Sequence, residues 1–354
     1  MKKITLFLAA MFAIGSIAMT GFTEKDKTEE PAHVIDDHGG DNGGGNGGEN
    51  GGNNNDPVNE NAGMLSGLFS VSDNLKVHFS QGNLQYTITG THLCADGTTQ
   101  PGTWRFAENQ YDFIGEDNAN TSPSYDGWID LFGWATSGYH DANDEGNVNY
   151  MPYSTAYEEL DENNHFDGYG PSPDVVPQDI TGDSRYYDWG VYNAISNGGN
   201  VPGRWRTLTL DEWRYLFRWR ECDTLGDTIN ARFCKANVCG VNGAILFPDV
   251  YEHPASVAIP QNINIPNALA AFADNTYDAD AWNAMQRAGA VFLPSAWQRK
   301  EGVRFFPGYE DGHYWSSTHN ETGSANAYVI GASVISSYGN TCSDGNSVRL
   351  VRNE

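Results

Sequence analysis

The chain has 354 residues, 39% hydrophobic and 12% aromatic, and 46 acidic against 20 basic side chains leave a formal net charge of -26. That balance excludes a nucleic-acid partner, whose phosphates need Lys and Arg, and disfavours an anionic membrane surface. With charged residues at only 19%, the composition is that of an extracellular, loop-rich domain rather than a cytosolic helical enzyme.

Lys2 and Lys3 precede an apolar run from Ile4 to Ala18, with small residues at Ser16 and Ala18. This pattern predicts a signal peptide over residues 1–20, too short and too early for a membrane span. The protein is therefore expected to be exported, to the cell surface, the periplasm or the medium, with no membrane span after signal cleavage. No cysteine precedes Cys94, so no lipid attachment is expected at the signal's end. Residues 21–62 read as a disordered linker. From Gly39 to Asn55 the chain is only Gly, Asn, Asp and Glu, with nothing to bury against the entropy of ordering. Residues 63–354 are long enough for one large core.

Within that domain, Leu68–Ser72 and Lys76–Tyr86 alternate apolar and polar residues, with Gly82-Asn83 as a turn, and predict strands. Trp104-Arg105-Phe106 predicts another. Aromatic and glycine clusters follow at Gly127–Trp134 and Tyr187–Gly190. Their tryptophans fit a core, and a sugar-stacking face is the alternative. The acidic runs Asp141–Glu145 and Glu158–Asp161 lack calcium-loop spacing, so a solvated acidic surface is expected there and no metal.

Arg204–Phe217 carries the clearest local signal. Thr209 stands three residues before Glu212, a capping box, and Trp213, Leu216 and Phe217 recur at helical spacing. A strand ending near Leu208 should turn into a helix from Leu210 to about Trp219. A second helix is predicted over Ala279–Ala288, with Trp282 and Met285 inward and Gly289 as its stop. Between them, Asn242-Gly243 predicts a hairpin joining Ala236–Val241 to Ala244–Phe247. Val291–Pro294 should be a strand. Two helices, short antiparallel strands and long loops make an α+β fold.

The five cysteines are Cys94, Cys222, Cys234, Cys239 and Cys342. Their odd number leaves at least one thiol over, with Cys342 the expected one. Cys234 and Cys239 are wrongly spaced for a zinc ribbon. No Ser-His-Asp or Cys-His arrangement is locally recognisable, and His140, His165, His253, His313 and His319 are scattered. No catalytic residue and no cofactor is assigned.

The C-terminal stretch from Gly312 to Arg352 frames the functional reading. Tyr314 and Trp315 at one end, and Val348, Leu350 and Val351 at the other, read as buried strands. The polar segment between them, from His319 to Asn346, has no helical period and reads as an irregular display segment on a rigid frame. If Tyr328–Ile330 is a strand, Tyr328 and Ile330 face the core while Val329 and Gly331 face out. The outward set is then His313, His319, Asn320, Thr322, Val329, Gly331, Ile335, Ser337, Tyr338, Asn340, Thr341, Cys342, Asp344 and Asn346. These are expected to form one exposed patch that binds a protein or glycan ligand, above the buried anchors Trp315, Val348 and Leu350.

Trp205–Phe217 resembles the Arg-Leu-Pro-Thr-Glu-x-Glu-Trp-Glu element of formylglycine-generating-enzyme-like domains, which have the C-type lectin fold. Thr207 and Thr209 depart from that motif, and its proline is missing. Val77–Tyr86, Trp104–Ala107, Tyr314–Thr318 and Ser347–Val351 resemble, in order, blocks of the major paralogous domain surface proteins of Bacteroidetes. The resemblance spans Gly67–Arg352 and implies a C-type-lectin-like fold on an exported protein. Formylglycine-generating chemistry requires paired cysteines, and the C-terminal segment offers only Cys342. The resemblance also implies a variable protein of a diversity-generating retroelement. Adenine-directed mutagenesis of Asn codons does not yield Lys, Glu, Gln, Met or Trp, and between His319 and Asn346 only Glu321 falls outside that rule.

Overall fold

The computed structural model describes residues 59–120, 124–139, 179–300, 304–305, 311–320, 324–342 and 344–354, with the backbone alone at 300, 304, 305, 320 and 324. The signal peptide, almost all of the linker and both acidic runs lie outside the described residues. Asp56–Glu354 forms one compact unit. No helix among the described residues is long and apolar enough to cross a membrane.

The strands are β1 (Phe69–Ser72), β2 (Leu75–Phe79), β3 (Leu84–Leu93), β4 (Thr99–Phe106), β5 (Arg206–Thr207), β6 (Phe233–Val238), β7 (Val241–Leu246), β8 (Thr276–Tyr277), β9 (Val291–Pro294), β10 (Arg299–Lys300), β11 (Arg304–Phe305), β12 (Gly312–Asn320), β13 (Ser324–Ile330), β14 (Ile335–Thr341) and β15 (Leu350–Asn353). The helices are α1 (Trp189–Tyr192), α2 (Leu210–Arg218) and α3 (Ala279–Arg287). The architecture is mixed helix and strand with several small sheets.

The capping box at Thr209 forms. The Thr209 hydroxyl accepts from the Glu212 amide at 3.2 Å, and the Glu212 carboxylate accepts from the Thr209 amide at 2.8 Å. Glu212 also receives a two-pronged contact from Arg206, at 2.7 and 2.8 Å. The cap therefore ties β5 to the first turn of α2. Trp213, Leu216 and Phe217 are all buried, as their spacing predicts. In α3, Trp282 and Met285 face inward, and Gly289 ends the helix at φ +99°, a left-handed conformation that suits glycine.

β15 lies between β2 and β5 in a sheet of order β1-β2-β15-β5, so the two ends of the domain meet in one sheet. The strand begins at Leu350, not at the expected Val348. The preceding residues divide their bonds among separate neighbours: Asn346 bridges Phe132, Ser347 bridges Tyr314, and the Val348 carbonyl accepts from the Leu84 amide.

The hairpin of β6 and β7 corrects an expectation. Its turn is Cys239-Gly240, and both residues have positive φ, 51° and 87°, as a tight two-residue turn between twisted strands requires. Asn242-Gly243 lies inside β7, paired with Asn237 and Ala236. Gly243 serves close packing, because a Cβ there would overlap the Leu293 carbonyl and the Phe292 ring of β9.

Three apolar clusters form the interior. One gathers Phe69, Phe79, Trp213, Phe217, Tyr314 and Tyr328. A second gathers Trp104, Phe132, Trp134, Trp189, Trp205 and Trp315. The third packs Ile245, Trp282 and Phe292. Trp134 and Trp189 are fully buried, and the Arg105 guanidinium lies 3.7 Å above the Trp128 ring. The tryptophans of the two aromatic clusters thus belong to the core or are already stacked.

Candidate binding face

The polar segment is regular rather than irregular: β12, β13 and β14 form a three-stranded antiparallel sheet in that order. Directly opposed residues share a face. Tyr314, Tyr328, Ile330 and Ile335 lie on one face, in the cluster around Trp213. Trp315, Ala325 and Ala327 lie on the other, in the cluster around Trp104. Both faces of the sheet are therefore covered, and this overturns the expected single exposed patch.

His313, Val329, Gly331, Ile335, Asn340, Asp344 and Asn346 are buried. His319, Ser337 and Cys342 are half-buried, and Tyr338 and Thr341 are exposed. Thr322 and the side chain of Asn320 lie outside the described residues. Alternation also prevents a single patch, since the neighbours Ser337 and Tyr338 point to opposite faces, as do Asn340 and Thr341. Gly331 cannot vary freely, because a Cβ would overlap the Asp311 carboxylate. The anchors Trp315, Val348 and Leu350 are buried as expected.

The sheet nonetheless brings several of these residues together. Tyr338 Oη lies 2.6 Å from His313 Nδ1, and their rings meet edge to face. Burial pushes the Tyr338 phenol above its usual range, and Asp344 and Asp311 push the same way. Beneath it, Gln298 Nε2 donates to Asp344 at 3.4 Å and to Asn346 Oδ1 at 2.9 Å, and Asn340 Nδ2 donates to the same Asn346 oxygen at 3.3 Å. Gln298 was not anticipated, and nothing in its local sequence marks it. His319 stands apart, 5.4 Å from the Trp134 ring, with its amide donating to Asp179 at 2.8 Å. Burial lowers its pKa, and Asp179 opposes that shift.

The exposed part is the edge. β14 pairs only with β13 among the described strands, and Ser336, Ser337, Tyr338, Gly339 and Thr341 are half-buried or exposed along it.

The site chemistry shows no activated sulfur. Burial pushes the Cys342 thiol up to about 12, with Asp344 adding to the effect. Burial also raises Cys94, Cys222, Cys234 and Cys239. These last four stand as thiols, not disulfides, so Cys342 is not singled out as the odd cysteine. No group of three or more His, Cys, Asp or Glu side chains among the described residues is placed to hold a metal. Compared with known proteins, the chain matches no family model, no curated protein and no solved structure.

Proposed function

We propose that this chain is an exported, non-catalytic ligand-binding protein that presents the β14 edge on a C-type-lectin-like scaffold. The observation that carries the reading is a contrast within one sheet: β12 and β13 are sealed between two aromatic clusters, while β14 shows solvent a polar edge with Tyr338 held by His313. An exposed strand edge is a template for pairing with an extended partner. The fold component is supported by the meeting of β2 and β15 and by two amphipathic helices of the expected extent. The raised thiols support a non-catalytic reading, since the thiolate is the reactive form.

On this proposal the contact set narrows to Ser337, Tyr338, Thr341 and the neighbouring Ser336, and His319, two strands away on β12, drops out. Retroelement variation, where it operates, is confined to such positions, because changes at Val329 or Asn346 would reach the core. A screen of the full chain against a glycan array and against extended peptides tests the proposal. Binding that is lost in Tyr338→Ala and Thr341→Ala, with the melting temperature unchanged, supports it. Binding that ignores both changes refutes it. At the DNA level, the retroelement component requires a nearby copy of the codons for residues 313–346 that differs only at adenines.

A further inference from the structure

A second site lies on the opposite side of α2 from its cap. A cavity of about 300 Å3 opens between the last turn of α2, the start of β6, the Asn264–Pro266 loop and the β13–β14 pair. That volume is at the lower end for small-molecule pockets. Phe217, Phe233 and Tyr328 line it, and the Phe217 and Tyr328 rings are stacked 4.6 Å apart at 15°. Two cations, Arg218 and Arg232, stand in its wall, and no carboxylate lines it. In a chain of net charge -26, a cavity walled by two guanidiniums and no acid is a departure that calls for a ligand.

Two polar atoms are left open there. The Tyr328 hydroxyl, on a side chain only 1% exposed, has no well-formed hydrogen bond, and only the Arg218 guanidinium reaches towards it. Arg232 donates Nη1 to the Arg220 carbonyl at 3.2 Å, but its buried Nε has no partner. Neither Arg218 nor Arg232 forms an ion pair among the described residues. Burial raises the Tyr328 phenol, and Arg218 opposes that rise by Coulomb attraction and by side-chain hydrogen bonding, with Arg214 adding Coulomb attraction. Leaving buried donors unmade is costly, and a planar guanidinium edge suits a carboxylate.

The frame around these groups is rigid. Asn264, at φ +62°, accepts from the Arg232 amide at 2.9 Å and donates to the Asn230 carbonyl at 2.8 Å. The Ile335 amide donates to the Pro266 carbonyl at 2.6 Å. The negative end of α2 is screened by the fully buried Arg220, whose Nε binds the Leu216 carbonyl at 2.9 Å. The site is therefore preorganised for an anion despite lying at a helix C-terminus.

We infer that this cavity binds the carboxylate of a small organic acid, with Arg218, Arg232 and the Tyr328 hydroxyl as the donors and the aromatic rings supporting the body of the ligand. Arg218 is exposed and forms no ion pair among the described residues, so its guanidinium is available to the acid. A sugar acid and the carboxyl end of a peptide present the same chemistry, and the test separates them.

The full chain is titrated calorimetrically with glucuronate, as the sugar acid, and with N-benzoylglycine, as the peptide end, and with the amide of each. The expected result is that one acid binds and its amide binds about tenfold or more weakly, as loss of a charge-assisted contact implies. Arg218→Gln and Arg232→Gln each weaken the acid by about tenfold or more on the same grounds, and added salt weakens it in the parent chain. Tyr338→Ala and Thr341→Ala leave it unchanged, so failure of the β14 reading and failure of this one are distinguishable. Because Arg218 is exposed, its variant folds even if Arg232→Gln does not. Three outcomes overturn the inference: neither acid binds at about 10 mM, an amide binds as tightly as its acid, or the affinity survives Arg218→Gln.

Discussion

Two groups of polar atoms surround the same sheet and are treated in opposite ways. Around β12, the indole N–H of Trp315 donates to the Phe132 carbonyl at 2.6 Å, that of Trp134 to the Ser316 carbonyl at 2.9 Å, and that of Trp213 to the Trp315 carbonyl at 3.3 Å. Each indole is buried with its polar tip bonded to backbone, which holds several chain segments in one arrangement. On the far side of α2, the Tyr328 hydroxyl and Arg232 Nε are buried atoms with no well-formed hydrogen bond. The indoles are finished contacts that define the scaffold. On the inference drawn above, the phenol and guanidinium find their partner in a ligand.

The widest break in this comparison is Trp315→Ala. It removes a fully buried ring and a bonded indole, and should cost on the order of 3–5 kcal/mol. Denaturant unfolding reads this as a large drop in midpoint, and an unchanged midpoint would deny the indoles their scaffold role.

Acidity sharpens the same contrast. Asp188 bonds the Thr207 amide at 2.7 Å and the Gly190 amide at 3.0 Å, and Asp130 bonds the Ile114 amide at 2.9 Å and Asn118 Nδ2 at 2.8 Å. Burial nonetheless raises both carboxyls to about 6, their hydrogen bonds offsetting only part of the desolvation. With the folded pKa above the unfolded one, the folded state holds more protons between roughly pH 4 and pH 6. The resulting stabilisation is full below the unfolded pKa and is lost as pH rises through about 6, on the order of 3 kcal/mol for each group. Urea midpoints should therefore rise as pH falls from 7 towards 5. A midpoint that falls over that interval would contradict this assignment.

Thr209→Ala should cost about 1 kcal/mol, the usual value of an N-cap, with Glu212 and Arg206 still paired. A calorimetric melting shift of a few degrees is the readout, and no shift would mean the Arg206–Glu212 pair alone holds the helix start.

The smallest stability effects belong to the open side. Arg218→Gln should change stability by no more than about 0.5 kcal/mol, and Tyr338→Ala by no more than about 1 kcal/mol, the bond to His313 that it removes, as measured by urea midpoint. A larger loss in either would place that residue with the indoles, as scaffold.

Local chemistry was legible from the chain alone wherever a signal was short-range. Thr209 with Glu212, the Trp213-Leu216-Phe217 stripe, Gly289 and the Val291–Pro294 strand all read correctly, because a cap, a helical face or a stop depends on residues a few positions apart. The reading of Asn242-Gly243 as a turn failed because Gly243 answers to β9, some fifty residues onward in sequence, and not to its neighbours. The candidate face failed for the same physical reason. Alternation along Tyr328–Ile330 told which residues oppose each other, but a strand does not carry the information that both faces of its sheet will be covered. That depended on α2 and the Trp213 cluster on one side and on Trp104, Phe132 and Trp134 on the other. Arg218 and Arg232 stand fourteen positions apart and share no motif, so only the packing of α2 against β6 and β13 could bring them to one cavity. The sequence by itself determined where α2 and α3 begin and end and which of their side chains seek the interior, since those depend on local bonding and apolar area. The tertiary structure alone decided which polar groups found partners, because partnership depends on what the rest of the chain brings within hydrogen-bond reach.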